Sequence, residues 1–443
     1  MPEEMEKSDR SSMAADRLDL LVFGATGLTG KHAIPFIHEI ASSRSLTWGI
    51  AGRSAKKMRE LLQQKETELG RDLSRIPVIV ADITNEESLL AMAKKSKVLL
   101  NCCGPFRSLG RPVVEACIKA GTHQVDVNGE PQYMEKLQLE KHEDTERKGV
   151  YILSACGLDS IPCELAILHL QKEFDGVLNS VVTYFEEEQE GKRLPGCAAN
   201  YTTWASSITA SSNWGELNNL RKKLFRTKMP DLQPKLRKRI LPFRNDLVDG
   251  WMVPMPGPDH SVIERTQRYF YETKGKRPIQ VECFYAEKSL WNVLVLAVLF
   301  LLFCILCRFE FGRRMLLNYP EIFSYGTFVK DEVPTQEKLD NTVFRLTLCG
   351  EGWTNAGGRI DRNTQYKEPC NGRIVSQVSG RNPWYGATAL CVVAAGVIVA
   401  TESNKMPSRG GVYTPGVAFA DTSMRQLLDQ NGLTFEILCK KAI

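Results

Sequence analysis

Three glycines, each three residues from the next, follow a short apolar run near the start of the chain. The run is Leu18–Phe23, and the heptapeptide after it is Gly24-Ala25-Thr26-Gly27-Leu28-Thr29-Gly30. A strand that ends in a glycine turn and leads into a helix is the setting in which a dinucleotide pyrophosphate binds. Gly24 would permit the tight turn, Gly27 the approach of the phosphates, and Gly30 close packing of helix on strand. The alternative is an ordinary glycine turn between a strand and a helix.

The residues that follow the next predicted strand indicate which dinucleotide the site prefers. That strand is Leu46–Gly52, and Arg53 and Ser54 come directly after it, with Lys56 and Lys57 just beyond. A site that prefers NAD places an acid here to bind the ribose hydroxyls, and this chain has none. A guanidinium instead suits a 2′-phosphate, which it binds through paired charge-assisted hydrogen bonds. The pattern predicts NADP(H), with NAD(H) less favoured; the alternative is a solvated basic helix turn.

Two further strands are expected to bring more residues to the cofactor. Ile76–Ile83 ends in Asp82 and Ile83, which would lie near the adenine ring. Val98–Cys103 leads into Gly104, Pro105 and Phe106, and Cys103 and this loop should pass beside the nicotinamide. For the second loop, a plain turn without cofactor contact is the alternative.

Composition narrows the class of protein. A chain of 443 residues with 43% hydrophobic and 25% charged residues is typical of a globular protein with two domains. A net charge of +5 does not by itself imply a nucleic-acid partner, and none is expected. The 13 scattered cysteines and 6 histidines form no ligand cluster, which favours reduced thiols, no metal site and a protein that is not secreted. Residues 1–17 are polar and are predicted to be a disordered leader.

The order of predicted elements divides the chain into two kinds of fold. Strands and helices alternate over residues 18–160, which predicts an α/β Rossmann-type, doubly wound parallel sheet. Later strands follow one another with few helices between them, which predicts a second, mainly antiparallel α+β domain over residues 161–409. These later strands are Val177–Phe185, Ser261–Glu272, Pro278–Ala286, Asn341–Gly350 and Gly372–Gly380. Residues 410–443 are expected to form a helix, begun by Thr414 and Pro415, and a strand that return to the first domain.

Six polar side chains are candidates for lining a substrate site, because they follow strands whose carboxyl ends share one edge of the sheet. They are Asp126, Glu130, Asp159, Ser160, Tyr413 and Thr414. Each acid among them is better explained as a helix cap or loop brace than as a general acid. The chain contains no Tyr-x-x-x-Lys sequence, and Cys156 has no histidine that the sequence assigns to it, so no catalytic residue is assigned.

One apolar run is too hydrophobic for an ordinary surface helix. Leu290–Cys307 holds one amide and no charge, and Lys288 and Arg308 bracket it. Its length is at the lower limit for a membrane span, and the second domain resumes after it, so a monotopic insertion into a membrane or lipid monolayer fits better than a crossing. The residues predicted to contact lipid include Leu290, Trp291, Leu296, Phe300, Phe303 and Leu306. The alternative is a buried core helix, as predicted for the Ala- and Val-rich run Ala387–Ala400.

A basic stretch accompanies that run. Arg221–Arg244 contains ten Lys or Arg residues and a single acid, Asp231. It can be interpreted as a segment attracted to an anionic membrane surface or as a solvated surface insertion.

Taken in order, six short segments resemble the saccharopine dehydrogenase family over nearly the whole chain from Leu18. They are Gly24–Gly30, Ala51–Ser54, Asn101–Phe106, Asp126–Glu130, Cys156–Pro162 and Gly410–Pro415. The resemblance implies a Rossmann domain, a second domain that closes over the cofactor, a C-terminal helix that returns to the first domain, and association with lipid droplets or membranes.

Two functions remain open at this point. One is an NADP(H)-dependent oxidoreductase that acts on a lipid-like substrate at a lipid-droplet or cytosol-facing membrane surface. The other is a non-catalytic NADP-binding scaffold or sensor at the same surface. A homodimer is also left open.

Overall fold

The computed structural model describes residues 17–192, 194–212, 214–255, 257–354, 356 and 361–443. The predicted leader therefore lies outside the described residues, apart from Arg17. The Arg17 guanidinium donates hydrogen bonds to the carbonyl of Ser96 and the hydroxyl of Thr122, so this residue belongs to the folded first domain.

The strands and helices divide between two sheets. The strands are β1 (Leu18–Phe23), β2 (Trp48–Gly52), β3 (Val78–Val80), β4 (Ser96–Asn101), β5 (His123–Asp126), β6 (Tyr151–Leu153), β7 (Gly176–Gln189), β8 (Trp251–Pro254), β9 (Gln280–Glu287), β10 (Thr342–Thr354), β11 (Gly372–Arg381), β12 (Gly411–Tyr413) and β13 (Thr434–Ala442). The first eight helices are α1 (Leu28–Ser43), α2 (Ala55–Leu69), α3 (Glu86–Ala93), α4 (Phe106–Ala120), α5 (Pro131–Lys148), α6 (Ile161–Glu173), α7 (Tyr201–Ser212) and α8 (Trp214–Leu224). The others are α9 (Asp259–Lys274), α10 (Leu290–Leu306), α11 (Glu310–Asn318), α12 (Pro320–Phe323), α13 (Gln336–Asp340), α14 (Thr388–Glu402), α15 (Pro415–Phe419) and α16 (Met424–Asp429).

The first sheet is parallel throughout and confirms the predicted Rossmann-type fold. Its order is β3-β2-β1-β4-β5-β6-β12, so the strand order reverses between β1 and β4. Both faces of β1 are buried, with Leu20 and Val22 in one apolar cluster and Leu21 and Phe23 in the other. This two-sided burial explains why the strand reads as a continuous apolar run. Ligands of such sheets bind at the carboxyl edge beside the reversal, where the loops after β1 and β4 meet.

The Ala- and Val-rich helix α14 is buried, as predicted, but it packs on the first sheet. Its residue Gly396 lies so close to β4 that an added Cβ would be 2.8 Å from Leu100 Cδ1. The helix therefore covers the same face of the sheet as α1, although it comes from the chain region assigned to the second domain. Small residues permit this close packing. It could not be predicted from the sequence, because α14 and β4 lie far apart along the chain.

The second sheet is mixed and mostly antiparallel, which agrees with the predicted second domain. Its order is β13-β11-β10-β7-β9-β8, and only β7 and β9 run parallel among these neighbours. The long strands β7 and β10 pair along almost their whole length, and helix α6 packs against β7, β10 and β11.

The prediction of a strand at Ser261–Glu272 is wrong, because these residues lie in α9. The buried Val262, Ile263, Thr266 and Phe270 recur at helical spacing. β-Branched and aromatic residues concealed this period, since they are the residue types that strands favour. The helix ends at Gly275, whose φ of 62° is left-handed.

The C-terminal region departs from prediction in two ways. The single helix expected after Thr414 and Pro415 is broken into α15 and α16, and Ser423, between them, hydrogen-bonds to Glu402. The return to the first domain is made by β12, which pairs with β6, whereas the final strand β13 pairs with β11 of the second sheet. Alternating apolar residues in β13 fit either sheet edge, so the pattern could not specify the partner.

Candidate functional site: a dinucleotide cleft and an exposed apolar helix

The turn after β1 presents an open helix N-terminus. Helix α1 begins at Leu28 with no acidic residue in its first turn and no side-chain cap at Gly27. Gly24 has a φ of 82°, and an added Cβ there would lie 2.6 Å from Cys103 Sγ. A Cβ on Gly30 would lie 2.3 Å from the Gly24 carbonyl oxygen, so Gly30 is needed for α1 to approach β1. Backbone N–H groups at such a terminus fit the pyrophosphate of a dinucleotide.

The basic residue predicted to select the cofactor stands at the carboxyl end of β2. Arg53 is exposed. Hydrogen bonds from Thr84 lower the pKa of Asp82, and the nearby charge of Arg53 acts in the same direction. Burial raises the pKa of Cys103 to about 12, and the charge of Arg53 acts against that rise. Asp82 accepts hydrogen bonds from the Thr84 backbone (2.9 Å) and hydroxyl (2.8 Å), which fixes the turn that contains the half-buried Ile83. Ser54 caps α2 by accepting from Lys57 N. The free guanidinium therefore fits the 2′-phosphate of NADP(H).

A first prediction concerns this guanidinium. Replacing Arg53 by alanine should weaken NADPH binding at least about tenfold, since a hydrogen bond to a charged group contributes about 1.5–3 kcal/mol. NADH binding should be unchanged, because NADH lacks the 2′-phosphate. Titration calorimetry with both cofactors measures the difference, and Lys56→Ala, a neighbouring exposed cation, is the matched control. Equal losses for NADPH and NADH would contradict the assignment.

The loop after β4 forms the other side of the reversal point. Gly104 and Pro105 are exposed, whereas Phe106 is buried and starts α4. The buried Glu130 carboxylate accepts hydrogen bonds from the backbone N–H groups of Phe106 and Arg107, so it caps α4. Burial raises the Glu130 pKa, while these N–H groups act against the rise. The cap fixes the loop that was predicted to pass the nicotinamide.

Asp126 is fully buried below the site. Its carboxyl group accepts hydrogen bonds from Asn128 N (3.1 Å), Ser154 Oγ (3.0 Å) and Gln124 Nε2 (3.1 Å). Burial nevertheless raises its pKa to about 7. The residue braces the loops after β5 and β6, and it has no exposed surface from which to contact a substrate.

Asp159 lies in the loop after β6, close to the loop after β5 and to Pro258 of the second domain. Its side chain is exposed, yet surrounding protein atoms raise the pKa of its carboxyl group. A Cβ on the exposed Gly129 would lie 3.9 Å from Asp159 Oδ2 and 3.7 Å from Pro258 of the second domain. The Ser160 hydroxyl donates to the Asp159 carbonyl (2.6 Å). Of the acids predicted to line a substrate site, Asp159 is the one with solvent access.

Two buried acids of this region, Asp259 and Glu164, were not singled out by the sequence. Asp259, in the first turn of α9, is 5% exposed, and its Oδ1 has no hydrogen-bond partner in the described residues. Burial raises its pKa well above the usual value, and the charges of Cys283 and Asp159 act in the same direction. Glu164 accepts a 2.5 Å hydrogen bond from Gly416 N, and burial raises its pKa to about 7. Glu164 is the one charged residue in the otherwise apolar run Ile161–Leu168, and that was the available signal.

Tyr413 and Thr414 are buried, shortly before Gly416, whose backbone N–H contacts Glu164. The Tyr413 ring packs at right angles to His142 (5.2 Å between centroids), and the Thr414 hydroxyl lies 2.5 Å from that of Thr266. Thr414 precedes α15 but makes no side-chain cap, because its hydroxyl is engaged with Thr266. Contact of these two residues with a substrate stays a prediction.

A second prediction follows from Glu164. Because its folded pKa is raised to about 7, the folded state favours the protonated acid, and stability present below the unfolded pKa is lost as pH rises toward 7. The free energy of unfolding should fall by on the order of 2–3 kcal/mol more in the wild type than in Glu164→Gln between about pH 4.5 and 7.5. Urea unfolding at several pH values measures this difference. Glu173→Gln, on the exposed end of the same helix, is the control, and parallel curves for wild type and Glu164→Gln would contradict the prediction.

The predicted lipid-binding run forms α10, a helix of 17 residues. It is exposed along most of its length: Trp291 is 69%, Phe300 59% and Leu301 62% exposed. Leu290 and Leu296 are also exposed, and Leu306 is half-buried. Phe303, which was predicted to contact lipid, is instead buried, because its ring packs 5.2 Å from that of Trp204 on α7.

Both ends of α10 are attached to the protein. Ser289 caps the first turn, and Asn292 donates to Glu287 at the end of β9. At the other end Phe303 and Cys307 form a cluster with α7 and α11.

Among the described residues one helix, Pro383–Lys405, is long and apolar enough to cross a membrane, and it is the mostly buried helix that contains α14. The described residues hold no group of three His, Cys, Asp or Glu able to bind a metal.

Comparisons with known proteins agree with this geometry. The profile of the saccharopine dehydrogenase NADP-binding domain matches residues 20–153, the region of the first sheet up to β6. A human protein named saccharopine dehydrogenase-like oxidoreductase is 34% identical, over 96% of this chain and 98% of its own. A Caenorhabditis elegans protein named lipid droplet localized protein is 30% identical, over 95% of this chain and 98% of its own.

A solved structure extends the agreement to the fold. Saccharopine dehydrogenase (L-Glu forming) from Saccharomyces cerevisiae superposes with a TM-score of 0.53 at 14% identity, over 96% of this chain and 99% of its own. At that identity the likeness concerns the fold alone. The sequence identity to the animal proteins, over nearly the full length of both chains, identifies this chain as a member of the saccharopine dehydrogenase family of NADP-binding oxidoreductases.

Proposed function

We propose that this protein transfers hydride between NADP(H) and a lipid-like carbonyl or alkene at a membrane or lipid-droplet surface. The observation that carries the proposal is that one chain joins an open NADP(H) cleft to an apolar helix exposed along most of its length. Helix α10 spans about 26 Å at 1.5 Å per residue, and both of its ends return to the protein surface. This arrangement favours a helix that lies in a lipid monolayer over one that crosses a bilayer. The relative named for its lipid-droplet localization supports the same surface.

Within the cleft, the chain supplies binding, orientation and a proton. The α1 N-terminus binds the pyrophosphate and Arg53 the 2′-phosphate, while the bound cofactor supplies the hydride chemistry. Glu130 fixes the loop Gly104–Phe106 against which the reacting end of the cofactor rests. In the reducing direction Asp159 gives a proton to the substrate and regains it from solvent, which reaches its side chain.

A pair of helices joins the lipid-facing side of the protein to this cleft. On α7, Trp204 packs against Phe303 of α10 and donates to the Leu316 carbonyl of α11 (2.8 Å). On α8, Glu216 pairs with Arg107 at 2.5 Å, one residue beyond the loop that borders the cofactor. The helices α7 and α8 therefore connect α10 to the loop that borders the cofactor.

The second candidate function is a non-catalytic NADP-binding scaffold or sensor at the lipid surface. The structural roles of Asp126 and Glu130 favour it, because each acid is committed to bracing or capping a loop. Of the three predicted acids, this leaves Asp159 with access to a substrate. The two candidate functions differ in whether Asp159 exchanges a proton with a substrate.

The deciding experiment is to incubate purified protein and NADPH with a total lipid extract. Absorbance of the reduced cofactor and masses of lipid products are followed, with Gly27→Trp as the variant whose cofactor cleft is blocked. The proposal expects NADPH oxidation and new reduced lipids with wild type, a large loss with Gly27→Trp, and a rate lowered with Asp159→Asn. Tight NADPH binding without turnover of any lipid fraction would support the scaffold, and equal turnover in the blocked variant would remove both assignments.

A further inference from the structure

One surface segment carries cations and apolar residues that the fold does not use. Lys235–Arg244, which we name the basic loop, contains five Lys or Arg residues and no acid. All residues from Arg237 to Pro242 are exposed. Ile240 and Leu241 are 81% and 79% exposed, the highest values among the large hydrophobic residues of the described chain. Two adjacent aliphatic side chains in water contribute nothing to the core, so the fold alone does not explain them.

The basic loop is fixed at both ends. The Pro234 carbonyl accepts hydrogen bonds from Asn179 and Gln280, each 2.9 Å long, and Leu236 N donates to Gln280. At the other end Phe243 and Met252 exchange two backbone hydrogen bonds. The exposed residues therefore form the tip of an anchored loop.

The cations of the loop are available to an external anion. Arg239 stacks over the Phe243 ring (4.3 Å) and Arg244 over the Trp251 ring (5.2 Å), which orients both guanidinium groups and leaves their N–H edges free for hydrogen bonds. Lys235 pairs with Asp231 at 3.1 Å. In the described parts of the chain no carboxylate forms an ion pair with Arg237, Lys238, Arg239 or Arg244.

The C-terminal end of the basic loop lies near the end of β9 after which α10 begins, whereas the N-terminal end of the loop is held at the start of β9 by Gln280. The antiparallel bridge between Phe243 and Met252 places Arg244 beside Trp251, and Trp251 pairs with Glu287 at the end of β9. Helix α10 begins three residues later with the exposed Leu290 and Trp291. A lipid surface that receives the start of α10 therefore also lies close to Arg244, at the C-terminal end of the basic loop.

We infer that the basic loop binds the phosphates of anionic phospholipid headgroups while Ile240 and Leu241 enter the acyl region. The inference rests on the proposed function only in that α10 contacts the same surface. Cations beside an aliphatic pair match an anionic lipid layer, which offers phosphates above hydrocarbon. Single-stranded nucleic acid is a poorer match, because it stacks its bases on exposed aromatic rings, and Phe243 is half-buried between Arg239 and Phe284.

The test measures binding of the full chain to vesicles of phosphatidylcholine and to vesicles that also contain about 30% phosphatidylserine. Three variants are compared with wild type: Arg237→Gln/Lys238→Gln/Arg239→Gln in the loop, Ile240→Ser/Leu241→Ser at its tip, and Lys94→Gln/Lys95→Gln/Lys119→Gln as a control that removes three exposed charges from the first domain. The loop charge variant should bind anionic vesicles about 100-fold more weakly, from about 1 kcal/mol per basic residue near the surface. The tip variant should bind both kinds of vesicle more weakly, and the control should behave as wild type.

The outcomes separate this inference from the proposed function. If the loop charge variant still binds neutral vesicles as wild type does but no longer prefers anionic vesicles, the result supports both headgroup binding by the basic loop and lipid contact by α10. A second outcome is that no protein binds neutral vesicles and that the loop charge variant alone loses the preference for anionic vesicles. This result would support headgroup binding by the basic loop and would count against lipid attachment through α10. An anionic preference that survives in the loop variant, or persists in about 1 M NaCl, would overturn the inference. So would tighter binding of the loop to an RNA oligonucleotide than to anionic vesicles.

Discussion

Replacing Gly27 by tryptophan should abolish NADPH binding while the protein keeps its fold. Gly27 is exposed, and a Cβ added to it meets only the Gly24 carbonyl oxygen, at 3.1 Å. The indole would therefore extend into open space in front of α1, where the pyrophosphate must lie. We expect NADPH affinity to fall at least about 100-fold, which corresponds to about 2.7 kcal/mol. Titration calorimetry measures the affinity, and thermal unfolding without cofactor measures the fold.

Two other glycine variants make this result specific. Gly215→Trp places the same side chain on α8 at a position with nothing within 4 Å of its Cβ, so it should leave NADPH binding unchanged. Gly30→Ala should lower the melting temperature as well as the affinity, because its Cβ would lie 2.7 Å from Ala25 Cα and would push α1 away from β1. Wild-type affinity in Gly27→Trp would show that the cofactor does not approach this turn.

The sequence was most informative where a strand is buried on both faces. Strands β1, β2 and β4 were predicted to within about two residues at each end, because apolar residues on both faces leave no competing helical or amphipathic pattern. Helix α9 was missed because its buried residues are also good strand formers, so period and propensity disagreed. Pairings made late in the chain were not predictable, since the partner of β13 depends on which sheet edge is left open.

The candidate site was predictable only where a local pattern carries it. The glycine turn acts through its backbone conformation, and Arg53 acts through its position directly after a strand. Both features can be recognised from the spacing of residues in the sequence. The surroundings of Asp259 and Asp159 depend on where the second domain places α9, and no local pattern contains that information. The prediction that acids here are caps or braces was physically sound for Glu130, whose carboxylate is held by the first turn of α4.

The exposed face of α10 leads to the second large effect. Leu294, Val298, Leu301 and Ile305 are 49–62% exposed and fall on one side of the helix at spacings of four, three and four residues. We expect replacement of all four by glutamine to release the protein from lipid. Each side chain loses about 1–2 kcal/mol of transfer free energy at about 25 cal/mol per Å² of apolar area. The partition coefficient onto neutral vesicles should therefore fall by at least about 100-fold.

Flotation with phosphatidylcholine vesicles and with phospholipid-coated oil droplets measures this partitioning. The matched control replaces two exposed apolar residues elsewhere, Val80 and Leu438, by glutamine and should float as wild type. NADPH affinity of the α10 variant reports on its fold, since the changed residues are exposed and the cofactor cleft lies in the first domain. Unchanged flotation with intact NADPH binding would mean that α10 does not hold the protein on lipid. Loss of flotation with intact NADPH binding assigns lipid attachment to this helix, independently of whether the cleft turns over a lipid substrate.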